Sequence, residues 1–196
     1  MKFFLVFVLT LLSVTLVEAR LTTPTVIATA DKTEIVTKSK QATTQYPLKN
    51  ATLFVDLATW QVSLDSNSNE AIDKQFEHVD GNARGMALSF REFVPIDEFI
   101  TNFVEGMKAD APETKLVDRR TVTVNGINME EVTIDMVTPQ APIRYFGYVY
   151  SGAKGVCLTL ALCHRDLFTE LRPALESYAA GLVVASQPSA TKPKKK

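Results

Sequence analysis

In PIDEFITNFVEGMKA, residues 95–109, apolar side chains fall at Ile96, Phe99, Ile100, Phe103 and Met107. Steps of three and four put them on one face, which predicts a helix. Pro95 suits its first turn, Asp97 and Glu98 favour its N-terminal end, and Ala111-Pro112 stops it. Elsewhere in the middle of the chain the period is closer to two. ATLFVDLATWQVSL (51–64) reads as two short strands about Ala58-Thr59-Trp60. QFEHV (75–79) and ARGMALSF (83–90) flank Asp80-Gly81-Asn82, where glycine accepts the positive φ of a tight hairpin. TVTV (121–124) and INMEEVTIDMV (127–137) flank Asn125-Gly126, a strong hairpin signal. In the second of these, Val132, Ile134 and Met136 share a face, and Glu131, Thr133 and Asp135 are expected to face water. PIRYFGYVYSG (142–152) and VCLTLALC (156–163) follow as two more strands. DLFTELRPALESYAAGL (166–182) returns to helical spacing, with a kink expected at Pro173 and a stop at Gly181. Strands, one helix, four strands and a last helix make an α+β fold, an antiparallel sheet flanked by helices.

The same stretches resemble the PsbP-like fold over residues 51–184. The likeness rests on LFVDLATWQVSL, on the strand-to-helix step MALSFREFVPIDEFITNFVEGM, on the Asn-Gly hairpin and on the closing GYVYSGAKGVCLTLALCHRDLFTELRPALESYAAGL. Ala58 departs from the pattern, since a proline often precedes the tryptophan there. The resemblance implies an α-β-α sandwich, as in a photosystem accessory protein and in periplasmic proteins of the DcrB type. It also implies a non-enzymatic accessory or binding role, and it carries over no functional residue, because fold alone does not fix function.

The ends of the chain change the picture from fold to address. MKFFLVFVLTLLSVTLVEA (1–19) has one lysine, an apolar run from Phe3 to Val17 and a small-x-small close, which reads as a secretory signal peptide cleaved after Ala19. The expected location is secreted or periplasmic. Residues 20–47 are rich in threonine and lack apolar periodicity, and read as a flexible segment ahead of a domain spanning 48–184. Residues 185–196 read as a disordered basic tail bearing Lys192, Lys194, Lys195 and Lys196, which could give weak, salt-sensitive contact with an anionic surface. The domain itself holds twelve Lys and Arg against nineteen Asp and Glu. An acidic fold between basic ends argues against a nucleic-acid partner. An unknown protein partner is the expectation.

Candidate chemistry is sparse. The chain holds two cysteines and two histidines, and GVCLTLALCH (155–164) carries three of the four. As a strand it places Val156, Leu158, Leu160 and Leu162 on one side and Cys157, Thr159, Ala161 and Cys163 on the other. Six residues of extended chain are about 20 Å, too far for a disulfide between Cys157 and Cys163. Cys163 and His164 point oppositely, so a thiol-dependent enzyme would need another histidine, His78, to arrive in space. No HExxH, CxxC, GxSxG or phosphate-loop spacing occurs, so no metal, cofactor or catalytic residue is expected. Arg144, Phe146, Tyr148 and Tyr150 share one face of a strand and form the candidate docking surface or ligand cleft, since tyrosines are enriched at interfaces. A small-molecule or lipid binder using a cleft between sheet and helix is the alternative. Asn50-Ala51-Thr52 is a glycosylation sequon, meaningful where sequons are glycosylated.

Overall fold

The computed structural model describes residues 33–63 and 72–184. The leader Met1–Ala19 and the lysine tail therefore lie outside the described residues. The elements, in chain order, are β1 (Ile35–Val36), β2 (Thr44–Pro47), β3 (Ala51–Val55), β4 (Trp60–Val62), β5 (Lys74–His78), β6 (Ala83–Phe90), α1 (Ile96–Lys108), β7 (Lys115–Val124), β8 (Ile127–Val137), β9 (Pro142–Gly152), β10 (Gly155–His164), a 3-10 turn (Arg165–Leu167), α2 (Phe168–Ala179) and β11 (Leu182–Val184). Eight strands form one sheet in the order β1-β7-β8-β9-β10-β6-β5-β4, and β11-β3-β2 form a second. All pairings are antiparallel except β1 with β7.

Two apolar cores lie on opposite faces of the large sheet. On one face Val132, Ile134, Leu158 and Leu160 pack under Ile100, Val104 and Met107 of α1. On the other, Phe146, Tyr148, Cys157 and Ala161 pack under α2 and under Leu53, Val55 and Leu182 of the small sheet. The alternation expected in β10 is present, with its leucines under α1 and its cysteines under α2. The result is three layers, α1, sheet, and α2 with the small sheet, an α+β architecture.

Several boundaries differ from the sequence expectation. Residues 35–47, expected to be flexible, contribute β1 and β2. Both are short and take their order from neighbours: Thr123 N–H donates to Glu34 O at 2.8 Å, and β2 lies on β3. β7 begins at Lys115, six residues ahead of TVTV, because the charged run Lys115–Arg120 pairs with β8 through a register shift at Val117. The last helix ends at Ala179, and Gly181 turns the chain into β11 instead. Pro173 sits inside α2, which continues through it.

Two asparagines tie the layers together. Asn125, the turn residue at φ 50°, accepts from Lys38 N–H at 2.8 Å and donates to Ala180 O and Leu182 O at 2.8 and 2.9 Å. At the opposite corner, Asn50 Nδ2 faces Phe90 O, Lys154 O and Val156 O. Next to it Lys49 N–H donates to Ser89 Oγ at 3.0 Å, and Lys49 Nζ pairs with Asp73 at 3.1 Å.

Candidate functional site

The strand β8 presents Glu131, Thr133 and Asp135 toward α2, and all three are buried. This corrects the expectation that they face water. Alternation tells which residues share a face, and here the polar face is the one that receives a second cover. Burial of a carboxylate requires compensation by charge and hydrogen bonds. Glu131 accepts from Arg120 Nε at 2.9 Å and Nη2 at 3.1 Å, and from Arg172 Nη2 at 3.2 Å. Arg120 reaches outward to Glu34 at 2.7 Å. Asp135 accepts both arms of Arg144, at 2.6 and 2.8 Å. That hydrogen bonding holds the Asp135 carboxyl below the usual aspartate range. Arg172 lies over Phe146, 4.3 Å from the ring centre, and Arg144 lies over Phe168 at 5.0 Å. Arg119 points to the other face, where it bridges Glu130 at 2.8 Å and Asp97 of α1 at 2.5 Å. Arg119 and Arg120 of β7 thus pair across to Glu130 and Glu131 of β8, one ion pair on each face of the sheet.

The residues expected to form a docking face are split by this packing. Phe146 and Tyr148 are fully buried, the first against Phe168 and Arg172. Arg144 and Tyr150, at the two ends of the row, are half-buried. An open aromatic face on β9 is therefore not what the sheet offers: α2 covers it. Tyr148 Oη has no hydrogen-bond partner, and burial together with the Glu176 and Glu131 carboxylates pushes its ionisation up.

The thiols are equally enclosed. Cys157 and Cys163 are free and buried. Burial pushes Cys157 up to about 12 and Cys163 up to about 11, the latter despite the opposing pull of Arg144. Neither histidine serves them. His164 Nδ1 accepts the Asp166 N–H at 3.3 Å and caps the 3-10 turn. His78 Nδ1 accepts the Asp80 N–H at 3.3 Å, and its ring meets Trp60 edge-on at 5.2 Å. Among the described residues no three His, Cys, Asp or Glu side chains are placed to share a metal ion. No helix among them is long and apolar enough to cross a membrane.

The α1 face holds the surface that sequence reading missed. Phe99 and Phe103 were legible on the helix stripe, and Phe90 ends the strand 83–90. Phe90, Phe99 and Phe103 form a continuous row, with ring centres 6.1 Å apart at each step, and all three are only partly buried. Phe93, in the loop leading to α1, is 62% exposed. Met86, Ile143 and Leu162 lie partly exposed on the same face. Asp97, Glu98 and Glu105 of α1 are exposed, with Asp97 bridged to Arg119 and Glu105 to Lys108 at 2.7 Å. A shallow groove of about 270 Å³ runs between α1 and β7, floored by Ile100, Val104 and Leu116. It is open, and small beside the roughly 300–1,000 Å³ of typical ligand pockets.

No protein-family model matches the chain, and no curated protein is similar to it in sequence. Solved structures are similar in fold. PsbP (CyanoP) from Synechocystis sp. PCC 6803 superposes with a TM-score of 0.52 at 10% identity, covering 74% of this chain and 94% of that one. A protein of unknown function, PA94, from Pseudomonas aeruginosa gives a TM-score of 0.47 at 15% identity, covering 74% and 98%. The order of elements and the first of these likenesses agree: the chain has a PsbP-like α+β fold.

Proposed function

We propose that this PsbP-like domain belongs to an exported accessory protein that binds another protein and carries out no chemistry of its own. The observation that carries the reading is the partly exposed row Phe90–Phe99–Phe103 on the α1 face, with Phe93 beside the helix start. Aromatic and methionine side chains gathered on one face are what protein interfaces enrich. The reactive side chains support the same view: the thiols are enclosed and both histidines serve as local caps.

Variants Phe99→Ser and Phe103→Ser, purified and shown to melt near the wild type, test this by affinity capture from the native extracytoplasmic compartment. A partner recovered by the wild type and lost by both variants is the expected result. Equal recovery by all three would remove the aromatic row from the interface. Export is read from intact mass, with the mature chain expected to begin at Arg20. Deleting Lys192–Lys196 should abolish any binding to anionic vesicles without moving the melting temperature, and vesicle binding that survives the deletion would end the tail proposal.

A further inference from the structure

Asn50-Ala51-Thr52 has the form of an N-glycosylation acceptor, in which the sugar is attached to the asparagine amide nitrogen. The structure commits that nitrogen elsewhere. Asn50 is 9% exposed. Its Nδ2 lies 3.1 Å from Phe90 O, 3.2 Å from Lys154 O and 3.1 Å from Val156 O, so two N–H bonds serve three carbonyls. These carbonyls come from the end of β6, the β9–β10 turn and the start of β10. Oδ1 has no partner among the described residues, and flipping the amide would set an oxygen against all three acceptors, so the orientation is fixed. Lys49 holds the same turn from the other side through Ser89 and Asp73.

We infer that Asn50 is a structural amide whose N-glycosylation is incompatible with the native fold, and that this chain completes its fold in an extracytoplasmic compartment where sequons are not glycosylated. The inference rests on the exported reading proposed above and narrows it. Transfer from a lipid-linked oligosaccharide breaks one Nδ2–H bond and the bond from the sugar's anomeric carbon to the lipid pyrophosphate oxygen, and forms one Nδ2–C bond; the lipid pyrophosphate leaves with that electron pair and the proton. A single N–H would then face three carbonyls, and the sugar carbon would occupy the space in which those carbonyls sit. Transfer acts on the unfolded, emerging chain, so the native burial of Asn50 offers no protection. A glycosylating compartment would modify the residue first and then prevent the small sheet from docking.

The test uses the full mature chain in two hosts. From a non-glycosylating host, wild type and Thr52→Val should share a melting temperature, because Thr52→Val removes the sequon and keeps the amide. Asn50→Gln should melt lower by roughly 5–10 °C. Behind a heterologous signal in a glycosylating secretory host, the wild type should gain an endoglycosidase-sensitive mass on Asn50 and be retained, and Thr52→Val should emerge folded. Thr52→Ala replaces Thr52→Val if the valine variant does not fold. A folded wild type secreted from that host, with or without the glycan, would overturn the inference. So would an Asn50→Gln that melts like the wild type. The heterologous signal separates this test from the export reading, which stands or falls on the mature mass in the native host.

Discussion

The two faces of the large sheet reverse the usual pairing of polarity with water. The α1 face is apolar, yet Phe90, Phe99, Phe103, Met86 and Leu162 on it are partly exposed. The α2 face carries Glu131, Thr133, Asp135 and Thr159, yet all four are buried. Coverage explains the difference. A helix about 10 Å wide spans roughly two strands spaced about 4.8 Å apart. One helix cannot close the α1 face, whereas α2 together with the small sheet closes the other. Polarity of a strand face therefore does not report its exposure; the number of layers above it does. The buried charges are structural, and the apolar strip is the part that no layer covers.

The largest expected effect separates backbone from side-chain crowding on the two faces. A Cβ on Gly147 would lie 1.9 Å from Thr159 O, inside the sheet, so Gly147→Ala should yield no folded protein on expression. A Cβ on Gly85 would lie 2.5 Å from the Tyr178 ring of α2. A ring can tilt, so Gly85→Ala should fold and lose about 1–3 kcal/mol in urea denaturation. If Gly147→Ala folds with native stability, the sheet is less constrained than its spacing implies.

Next in size, Glu131→Ala should cost about 1–3 kcal/mol, because Arg120 and Arg172 would lose their shared buried acceptor and keep only the outer carboxylates of Glu34 and Glu176. A loss below about 1 kcal/mol, typical of exposed pairs, would show that the α2 face is wetter than described. Acid provides a smaller and directional probe. Asp135 is held below the usual aspartate range by Arg144, so the unfolded chain takes up this proton first. That stabilisation is present above the ordinary aspartate range of about 4 and is lost as pH falls through the lower folded value. The stability gap between wild type and Asp135→Asn should hold down to about pH 5 and narrow as pH falls below about 4 in denaturant midpoints. A gap independent of pH would mean that the Arg144 contact contributes shape alone.

The smallest stability effect belongs to the open face. Phe103→Ser should cost about 1 kcal/mol, since the ring is only partly removed from water. Its effect on partner capture should be far larger, and the contrast between the two readouts is the point. A variant that loses stability and binding in proportion would place Phe103 in the core.

What the sequence made legible was local. The α1 stripe, the turns at Asp80–Asn82 and Asn125–Gly126, and the alternation of β10 each follow from neighbours a few residues apart. Elements whose order comes from distant partners were not legible. Ile35–Val36 and Thr44–Pro47 are too short to show a period, and the charges of Lys115–Arg120 hide a strand whose polar side chains pair across to β8. The site was harder still. Phe146 and Tyr148 were grouped correctly on one face, but only α2 decides that the face is closed. Phe99 and Phe103 were placed correctly on the helix stripe, but only the width of the sheet decides that they stay partly open. The amide of Asn50 finds carbonyls up to 106 residues away, beyond any local pattern.

Asn125 has a kinetic meaning as well as a geometric one. As a turn residue it takes part in an event of about 1–10 μs, the closing of the β7–β8 hairpin. As a clamp it waits for Lys38, 87 residues earlier, and Leu182, 57 residues later. Contacts at such separations carry their loop-closure entropy before they give anything back, so they form late. An Asn125→Gly chain keeps the left-handed turn and loses the clamp; its folding rate should be preserved while its unfolding accelerates. The two ends of the domain become firm only when both have returned to a turn completed near the start of assembly, and the lifetime of the native state is set there.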